Sequence, residues 1–240
     1  MNITMVDKSG ERVRRMFAEI APRYDLMNHV LSLNIDKLWR AKTIRILNLV
    51  SGAPVLDTCT GTGDLALSIA RAVGNTTPVI GSDFCTEMLA IARQKQSRLL
   101  PKYHCLEFIE ADTQCLPFPE NHFQAVTVAF GLRNVSVTEQ GLAEMTRVCR
   151  TGGQVAVLEF SKPKLFGLRQ AYNAYFKHVL PCVGQRLSKN DHSAYQYLPQ
   201  SVQEFPCGEA LAALMRQANL QDIRMYPMTF GVVTLYVGTK

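Results

Sequence analysis

A short apolar run passes directly into a glycine-rich turn at Val55-Leu56-Asp57-Thr58-Cys59-Thr60-Gly61-Thr62-Gly63-Asp64. Gly61 and Gly63 allow the backbone to turn sharply and to approach a ligand closely, which a Cβ atom would obstruct. Twenty residues beyond Gly63, at the end of the next predicted strand, lies Asp83. An acid at that position can accept hydrogen bonds from both hydroxyls of a ribose. This spacing predicts a nucleoside ligand bound where a strand gives way to a helix.

The charge of this turn decides between two cofactors. Residues 61–66, GTGDLA, also satisfy the looser dinucleotide pattern G-x-G-x-x-A. A dinucleotide, however, places a doubly charged pyrophosphate at the start of the helix, where the carboxylate of Asp57 would repel it. S-adenosyl-L-methionine (SAM) carries an ammonium and a sulfonium, which Asp57 and Asp64 would attract. We therefore expect SAM rather than NAD. The expected binding residues are Asp57, Gly61, Gly63 and Asp83.

Short apolar runs alternate with helical patterns from residue 53 onward, which predicts a parallel sheet with right-handed crossovers. Strands are predicted at 54–57, 78–83, 106–112, 123–130, 154–160, 222–227 and 231–238. Helices are predicted at 63–73, 86–99, 137–149 and 207–218. The short connection 227–230 suits a hairpin, which would make the last strand antiparallel. The chain is therefore expected to be an α/β protein with a Rossmann-like, seven-stranded, mostly parallel sheet.

The remaining segments are expected to complete one domain, 1–240. Residues 1–50 form a predicted helical cap, with helical spacing at 8–20 and 36–48 and a less regular stretch between them. The cofactor-binding core is 51–161, a helical insertion after the fifth strand is 162–206, and a closing helix and hairpin are 207–240. The cap and the insertion are predicted to cover the substrate.

Composition sets broad limits on function. The 240 residues are 47% hydrophobic and 19% charged with a net charge of +6, which is ordinary for a globular domain. Apolar runs stay shorter than a membrane span, and the N-terminus has no secretory pattern, so we expect a cytoplasmic protein. Nucleic-acid-binding motifs are lacking. The odd number of scattered cysteines predicts reduced thiols and no metal site. They are Cys59, Cys85, Cys105, Cys115, Cys149, Cys182 and Cys207.

Asp112 and Thr113 follow the third predicted strand. In this architecture that turn would flank the adenine of the cofactor, where Asp112 could accept a hydrogen bond from the exocyclic amine. Because a lone Asp after a strand is commonly a turn former, this assignment depends on the signals from Gly61 and Asp83.

Three segments resemble the ubiquinone/menaquinone biosynthesis C-methyltransferases, and the similarity covers nearly the whole chain. They are Tyr24-Asp25-Leu26-Met27-Asn28 with its continuation to Leu38-Trp39-Arg40, Phe130-Gly131-Leu132-Arg133-Asn134-Val135, and Arg147–Gly153 with Leu158–Ser161. The resemblance implies the class I SAM-dependent methyltransferase fold. It also implies cofactor contacts at Thr62, Asp83, Asp112 and Thr113, and substrate-side roles for 24–28, Arg133 and Asn134. Three positions depart from the common pattern of the family, namely Asp36, Ala129 and Thr151. Of these, Thr151 is expected to lie in the turn before the fifth strand.

The family resemblance implies methylation of a ring carbon of a prenylated quinol. Loss of a hydroxyl proton turns a hydroquinone into a phenolate with a nucleophilic adjacent carbon, so the enzyme contributes chiefly proximity and charge placement. Arg133 is expected to stabilise the phenolate and Asn134 to orient it. Arg133 remains protonated, so the candidate bases are Tyr24, Asp25 and His29.

Several alternatives stay open at the level of sequence. Demethylmenaquinol is the favoured acceptor, with the benzoquinol precursor of ubiquinone also compatible. Another phenolic or lipid acceptor, a catalytically silent scaffold and an NAD oxidoreductase explain fewer of the motifs. Aromatic and basic residues at 164–179 suggest peripheral contact with the inner face of a membrane, an ordinary docked helix or a homodimer contact. These residues are Lys164, Phe166, Arg169, Tyr172, Tyr175, Phe176, Lys177 and Val179.

Overall fold

The computed structural model describes residues 9–99, 104–163, 167, 170 and 192–240. Its helices are α1 (Gly10–Ile20), α2 (Tyr24–Leu31), α3 (Ile35–Ile46), α4 (Asp64–Val73), α5 (Thr86–Leu99), α6 (Thr138–Val148), α7 (His192–Glu204) and α8 (Glu209–Gln217). Its strands are β1 (Val55–Thr58), β2 (Val79–Asp83), β3 (Leu106–Glu110), β4 (Phe123–Ala129), β5 (Cys149–Phe160), β6 (Gln221–Met228) and β7 (Val233–Thr239). Short 3-10 turns include Leu132–Asn134 and Thr229–Gly231.

The seven strands form one sheet in the order β3-β2-β1-β4-β5-β7-β6. β7 runs antiparallel to both of its neighbours, and the other six strands are parallel to one another. Neighbouring residues of β1 belong to different apolar clusters, Val55 to one and Leu56 to the other. Because side chains alternate across a strand, this places one cluster on each face of the sheet. The predicted fold class is confirmed, including the antiparallel last strand.

Helices α1, α2 and α7 surround the carboxyl ends of the strands. Val13 and Met16 of α1 pack against Tyr197 of α7 in a small apolar cluster, and α1 also contacts α5. Gly10, Phe17 and Tyr24 from this region line the cleft at the ligand edge of the sheet. The aromatic and basic set at 164–179 lies outside the described residues. No helix in the described part of the chain is long and apolar enough to cross a membrane.

Two local predictions were wrong. The stretch between the first two predicted helices is itself a helix, α2, which carries apolar residues on two faces and so lacks a single clear stripe. The fifth strand begins at Cys149 rather than 154, and Thr151 consequently lies within it instead of in a preceding turn. Gly152, within this extended part of the strand, has a φ of 73°, and the β4–β5 register shifts between Phe123 and Ala125.

Candidate functional site

A cleft opens at the carboxyl ends of the parallel strands, where open α/β sheets bind ligands. It has a volume of about 650 Å³, and its lining includes Gly61, Asp83, Asp112 and Ala129. These residues lie at or just beyond the ends of β1, β2, β3 and β4 respectively. Gly61 has a φ of 57°, a left-handed conformation that a Cβ atom would disfavour. The glycine-rich turn therefore forms one wall of an open cavity.

Asp83 holds this turn and lines the cleft at the same time. Its Oδ2 accepts a hydrogen bond from the Gly61 N–H at 2.8 Å, and its Oδ1 accepts one from the Cys85 N–H at 2.9 Å. Each carboxylate oxygen has two lone pairs, so both can still accept from a ligand hydroxyl. Burial raises the pKa of Asp83 to about 6, and the backbone hydrogen bonds oppose that rise. This position fits the predicted role as a ribose acceptor.

Asp57 lies behind the turn, outside the described lining of the cleft. Only 1% of Asp57 is exposed. Its two oxygens accept hydrogen bonds from the hydroxyls of Thr60 and Thr127, each at 2.6 Å. Burial raises the pKa of Asp57 to about 6, despite these two hydrogen bonds. Asp57 therefore shapes the turn from inside the protein, and its position does not favour the direct contact with SAM that its charge suggested.

Thr62 and Gly63 also lie outside the described lining of the cleft. Thr62 is buried and donates a hydrogen bond from Oγ1 to Asp25 Oδ1 at 2.5 Å. Gly63 has a φ of 81°, and a Cβ built there would lie 2.7 Å from Cζ of Phe108. The requirement for glycine at this position thus comes from backbone conformation and packing. Both residues connect the turn to the helices beside it.

The third strand end reaches the cleft as predicted. Asp112 and Thr113 both line it. Asp112 Oδ1 accepts from the Gln114 N–H at 2.9 Å, as in an ordinary turn, and its side chain still lies at the cavity wall. Thr113 Oγ1 lies 3.2 Å from Sγ of Cys59. Burial, followed by the negative charge of Asp83, raises the pKa of the Cys59 thiol, which therefore stays protonated and acts as a small packing group.

The charge of the cleft matches a cationic ligand. Asp83 and Asp112 are its acidic residues, and no Lys or Arg belongs to its described lining. A pyrophosphate would meet two carboxylates there without a compensating cation, whereas a sulfonium and an ammonium would be attracted. These two acids, rather than Asp57, therefore favour SAM over a dinucleotide.

A second, apolar pocket of about 520 Å³ adjoins the cleft. Phe17, Tyr24 and Asn134 line both cavities, so the two spaces meet at these side chains. The apolar pocket is otherwise lined by Met16, Ile20, Met27, Asn28, Leu31, Arg133 and Tyr197. A ring at the junction would therefore have a hydrocarbon-lined space on one side and the acidic cleft on the other.

Arg133 lines the apolar pocket, and its guanidinium is paired with a buried carboxylate. It is 5% exposed, and its Nη1 lies 3.1 Å from Oε2 of Glu159, which is 1% exposed. The same nitrogen donates to the carbonyl of Phe130, and the guanidinium lies 5.5 Å from the ring centroid of Phe160. Its Nε is buried without a hydrogen-bond partner in the described structure. A buried donor of this kind is costly unless a ligand or water completes it.

Tyr24, Asn134 and Tyr197 form the polar end of the pocket. Tyr197 donates a hydrogen bond from its hydroxyl to Asn134 Oδ1 at 3.1 Å. Burial raises the pKa of Tyr24, with the positive charge of Arg133 opposing it, so this phenol is protonated near neutrality. Tyr197 was not predicted as a site residue, because nothing in the local sequence pattern of α7 distinguishes it. Its position inside the predicted covering segment 162–206 was the only available indication.

Asp25 and His29, two of the candidate bases, face away from both cavities. Asp25 Oδ2 pairs with Lys95 Nζ at 2.8 Å, and His29 Nδ1 lies 2.9 Å from Asp36 Oδ2. Neither belongs to the described lining of the cleft or the apolar pocket. Both instead join a network of ion pairs between α2, α3, α4 and α5. Their placement argues against direct proton transfer from a ring at the junction.

The same network contains a possible metal-ligand group. His29, Asp36 and Asp64 bring three ligand atoms within 4.8 Å of one another. Arg40 already pairs with Asp36 and Lys95 with Asp64. Asp36 keeps a pKa below its usual value, because the hydrogen bond from Ser32 and the charge of Arg40 outweigh the raising effect of burial. These two acids are therefore already neutralised by cationic side chains of the protein.

Known proteins are similar to this chain in sequence or in architecture. A "Ubiquinone/menaquinone biosynthesis C-methyltransferase UbiE" of Citrifermentans bemidjiense is 43% identical over 237 residues, covering 98% of this chain and 99% of the relative. A "Demethylmenaquinone methyltransferase" of Bacillus licheniformis is 42% identical, covering 98% and 100%. A SAM-dependent methyltransferase structure from Thermotoga maritima has a TM-score of 0.65 at 17% identity, covering 95% of this chain and 99% of that one.

The methyltransferase names of these proteins agree with a cleft whose charge suits SAM. The Thermotoga structure supports the fold alone, whereas the two relatives extend over almost every residue of this chain. The family model described as the ubiE/COQ5 methyltransferase family matches residues 5–240. With the acidic cleft at the strand ends and the apolar pocket beside it, the chain belongs to the ubiE/COQ5 methyltransferase family.

Proposed function

We propose that this methyltransferase uses SAM to methylate a ring carbon of a prenylated hydroquinone, converting demethylmenaquinol to menaquinol. The observation that carries the proposal is the junction of an acidic cleft with an apolar pocket that contains Arg133. The names of the two relatives support the same acceptor class. One of those names also includes ubiquinone biosynthesis, so the corresponding benzoquinol is the second candidate acceptor.

The described residues fit SAM as the methyl donor. Asp83 would accept from the ribose, Asp112 and Thr113 would lie near the adenine, and Gly61 leaves room for close approach. When bound, SAM supplies an electrophilic methyl group on a positively charged sulfur. The uncompensated carboxylates of the cleft favour that charge.

The protein's own groups would prepare the acceptor at the junction. Arg133 presents a buried cation with an unsatisfied Nε–H, which would favour the phenolate form of a ring hydroxyl. Asn134 is held by Tyr197 and would orient that oxygen. Tyr24, protonated near neutrality, would donate a hydrogen bond rather than accept the proton. Methyl transfer would form a bond from the ring carbon to the methyl group and break the carbon–sulfur bond, whose electron pair would leave with S-adenosylhomocysteine, and the ring carbon would then give its proton to solvent water.

The apolar pocket suits the first part of a prenyl tail. Met16, Ile20, Met27 and Leu31 form its hydrocarbon walls, and Arg133 is the one charged side chain in its described lining. Unbranched and branched aliphatic side chains of this kind accommodate isoprene units without a specific polar contact. A lipid-borne acceptor also requires contact between the protein and a membrane surface. A homodimer is compatible with both the cleft and the apolar pocket.

The decisive experiment incubates purified protein with methyl-labelled SAM and chemically reduced demethylmenaquinone. Mass spectrometry of the lipid extract should reveal one labelled methyl group on the ring. The benzoquinol precursor, tested in parallel, measures the second candidate. Labelled SAM that binds the protein while neither quinol gains mass would reject the proposed acceptor class and leave another phenolic or lipid acceptor as the alternative.

A further inference from the structure

Helix α2, the turn after it and the first turn of α3 expose apolar side chains beside the pocket. Among the described residues, eight large apolar side chains are exposed, and four of them fall within 26–38. They are Leu26 (56% exposed), Val30 (44%), Leu33 (80%) and Leu38 (68%). Leu26 and Val30 are four residues apart on α2 and therefore share one face of the helix, and Leu33 lies in the turn directly after it. We call these four residues the outer apolar patch.

The opposite face of the same helix lines the apolar pocket. Met27 is 4% exposed, and Met27 and Leu31 both belong to the pocket wall. α2 is therefore apolar on both sides, and only one side is covered by protein. A single helix of about 10 Å diameter separates the outer apolar patch from the space that would hold a prenyl tail.

A basic groove borders the outer apolar patch. It has a volume of about 840 Å³ between α2, α3, α4 and α5, and it contains five cationic side chains and one acid, Asp64. Its cations are Lys37, Arg40, Arg71, Lys95 and Arg98. The basic groove and the outer apolar patch are formed by neighbouring residues of the sequence. His29 and Lys37 line the groove, and the residues that follow them, Val30 and Leu38, belong to the patch.

Part of this positive charge is left over after the internal ion pairs form. Arg40 and Lys95 neutralise the acids of the network described above. Lys37, Arg71 and Arg98 are exposed and have no ion-pair partner within the described ranges of the chain. Arg40 Nε is also buried there without a hydrogen-bond partner. Unpaired cations next to exposed aliphatic side chains match a surface that is negatively charged outside and hydrocarbon inside.

We propose that the outer apolar patch and the basic groove dock this protein on an anionic lipid bilayer. The four aliphatic side chains would enter the acyl region, and Lys37, Arg71 and Arg98 would lie among the lipid phosphates. Docking in this orientation places the apolar pocket one helix away from the hydrocarbon. This inference rests on the proposed function for its purpose, since a prenylated quinol resides in the bilayer, although the binding itself requires no catalysis.

Vesicle flotation tests the docking without SAM or quinol. Wild-type protein should float with vesicles of phosphatidylcholine and phosphatidylglycerol and much less with phosphatidylcholine alone. The Leu33→Asp/Leu38→Asp variant should bind the anionic vesicles at least about tenfold more weakly. Val50→Asp is the matched control: Val50 is 47% exposed but precedes β1, at the edge of the sheet opposite the cleft. It should float like the wild type.

A second variant tests the cationic component. Lys37→Gln/Arg98→Gln should weaken binding to anionic vesicles by about fivefold per removed charge and leave binding to neutral vesicles unchanged. Raising the salt concentration should reduce wild-type binding more than binding of this variant. Thermal unfolding of all variants checks that the folded state is retained, which is expected because the altered side chains are exposed.

The outcomes separate docking from catalysis. Methylation of a tail-less quinol in solution should be unaffected in Leu33→Asp/Leu38→Asp, while methylation of a long-chain quinol in vesicles should fall. Wild-type protein that binds vesicles but methylates no quinol would remove the proposed acceptor and leave the docking surface standing. Undiminished vesicle binding by both variants would overturn the docking surface, as would a change in sedimentation that assigns the patch to a second copy of the chain.

Discussion

At the scale of single residues, the charge of Arg133 is balanced before any substrate arrives. Glu159 lies beneath it with 1% exposure and also accepts a hydrogen bond from the backbone N–H of Phe160 at 3.0 Å. A buried cation without such a partner would carry a large desolvation cost. The consequence is that removal of Arg133 affects both the site and the stability of the fold, and a useful experiment must separate the two.

The pair Arg133→Met and Arg133→Met/Glu159→Gln makes that separation. The single variant leaves the Glu159 carboxylate buried and unpaired, so the free energy of unfolding should fall by about 3–5 kcal/mol. Glutamine in the double variant removes the buried charge, and stability should largely return. Turnover should stay low in both, because neither offers a cation to a phenolate. Chemical denaturation and methyl transfer measure the two effects, and recovered turnover in the double variant would contradict the proposed role of Arg133.

The pKa of Asp83 predicts opposite pH effects on SAM binding and on the stability of the ligand-free protein. Burial moves this pKa from 3.8 to about 6, so the folded protein holds a proton between these values that the unfolded chain has released. The contribution of Asp83 to folding therefore decreases as the pH rises from 4 to 6. SAM affinity should instead increase over the same range, because the ionised carboxylate attracts the cation and accepts from the ribose.

Calorimetric titration of SAM between pH 5 and pH 7.5 checks this prediction. The wild type should bind several-fold more weakly at pH 5, where a carboxyl with a pKa of about 6 is about nine-tenths protonated. Asp83→Asn should bind weakly throughout and depend less on pH. Asp57, whose pKa is also about 6, supplies the residual dependence. Equal pH profiles for the two proteins would rule out Asp83 as the source.

At the scale of elements, α7 closes the pocket through one hydrogen bond from Tyr197 to Asn134. Tyr197→Phe keeps the ring that packs on Val13 and Met16 but loses the hydroxyl. A hydrogen bond contributes about 1 kcal/mol, so the KM for quinol should rise about fivefold while the Kd for SAM stays the same. Tyr236→Phe is the control, because its hydroxyl accepts from the Gly208 N–H away from the pocket. That variant should lose stability without a change in KM.

Sequence patterns predicted the first four strands well because each contains a short apolar run that ends in turn residues. They also predicted Gly61, Asp83 and Asp112 in the cleft, since parallel strands deliver their ends to one edge. They did not place Asp25 or Asp57, because charge and spacing do not reveal which side of a turn a carboxylate faces. α2 was missed as a helix for a related reason: a helix that is apolar on both faces has no single stripe to detect.

At the scale of the whole molecule, the net charge of +6 is unevenly distributed. The cleft at the strand ends presents carboxylates without Lys or Arg in its described lining, whereas the groove beside α2 presents five cations and one acid. A cationic cofactor and an anionic bilayer are thus attracted to different parts of one surface. Because charges of opposite sign are concentrated in separate regions, each region can attract its own partner without weakening the other.

This distribution predicts which cofactor stabilises the whole fold. A ligand at a hundred times its Kd adds about 2.7 kcal/mol to the free energy of unfolding. For a chain of 240 residues this corresponds to a rise in Tm of about 5–10 °C. SAM should produce such a shift, and NAD at the same concentration should not, because its pyrophosphate meets Asp83 and Asp112 without a compensating cation. S-adenosylhomocysteine, which lacks the sulfonium, should stabilise less than SAM at equal concentration. Scanning calorimetry gives all three values, and a shift with NAD equal to that with SAM would mean that the acidic wall of the cleft does not select the cofactor.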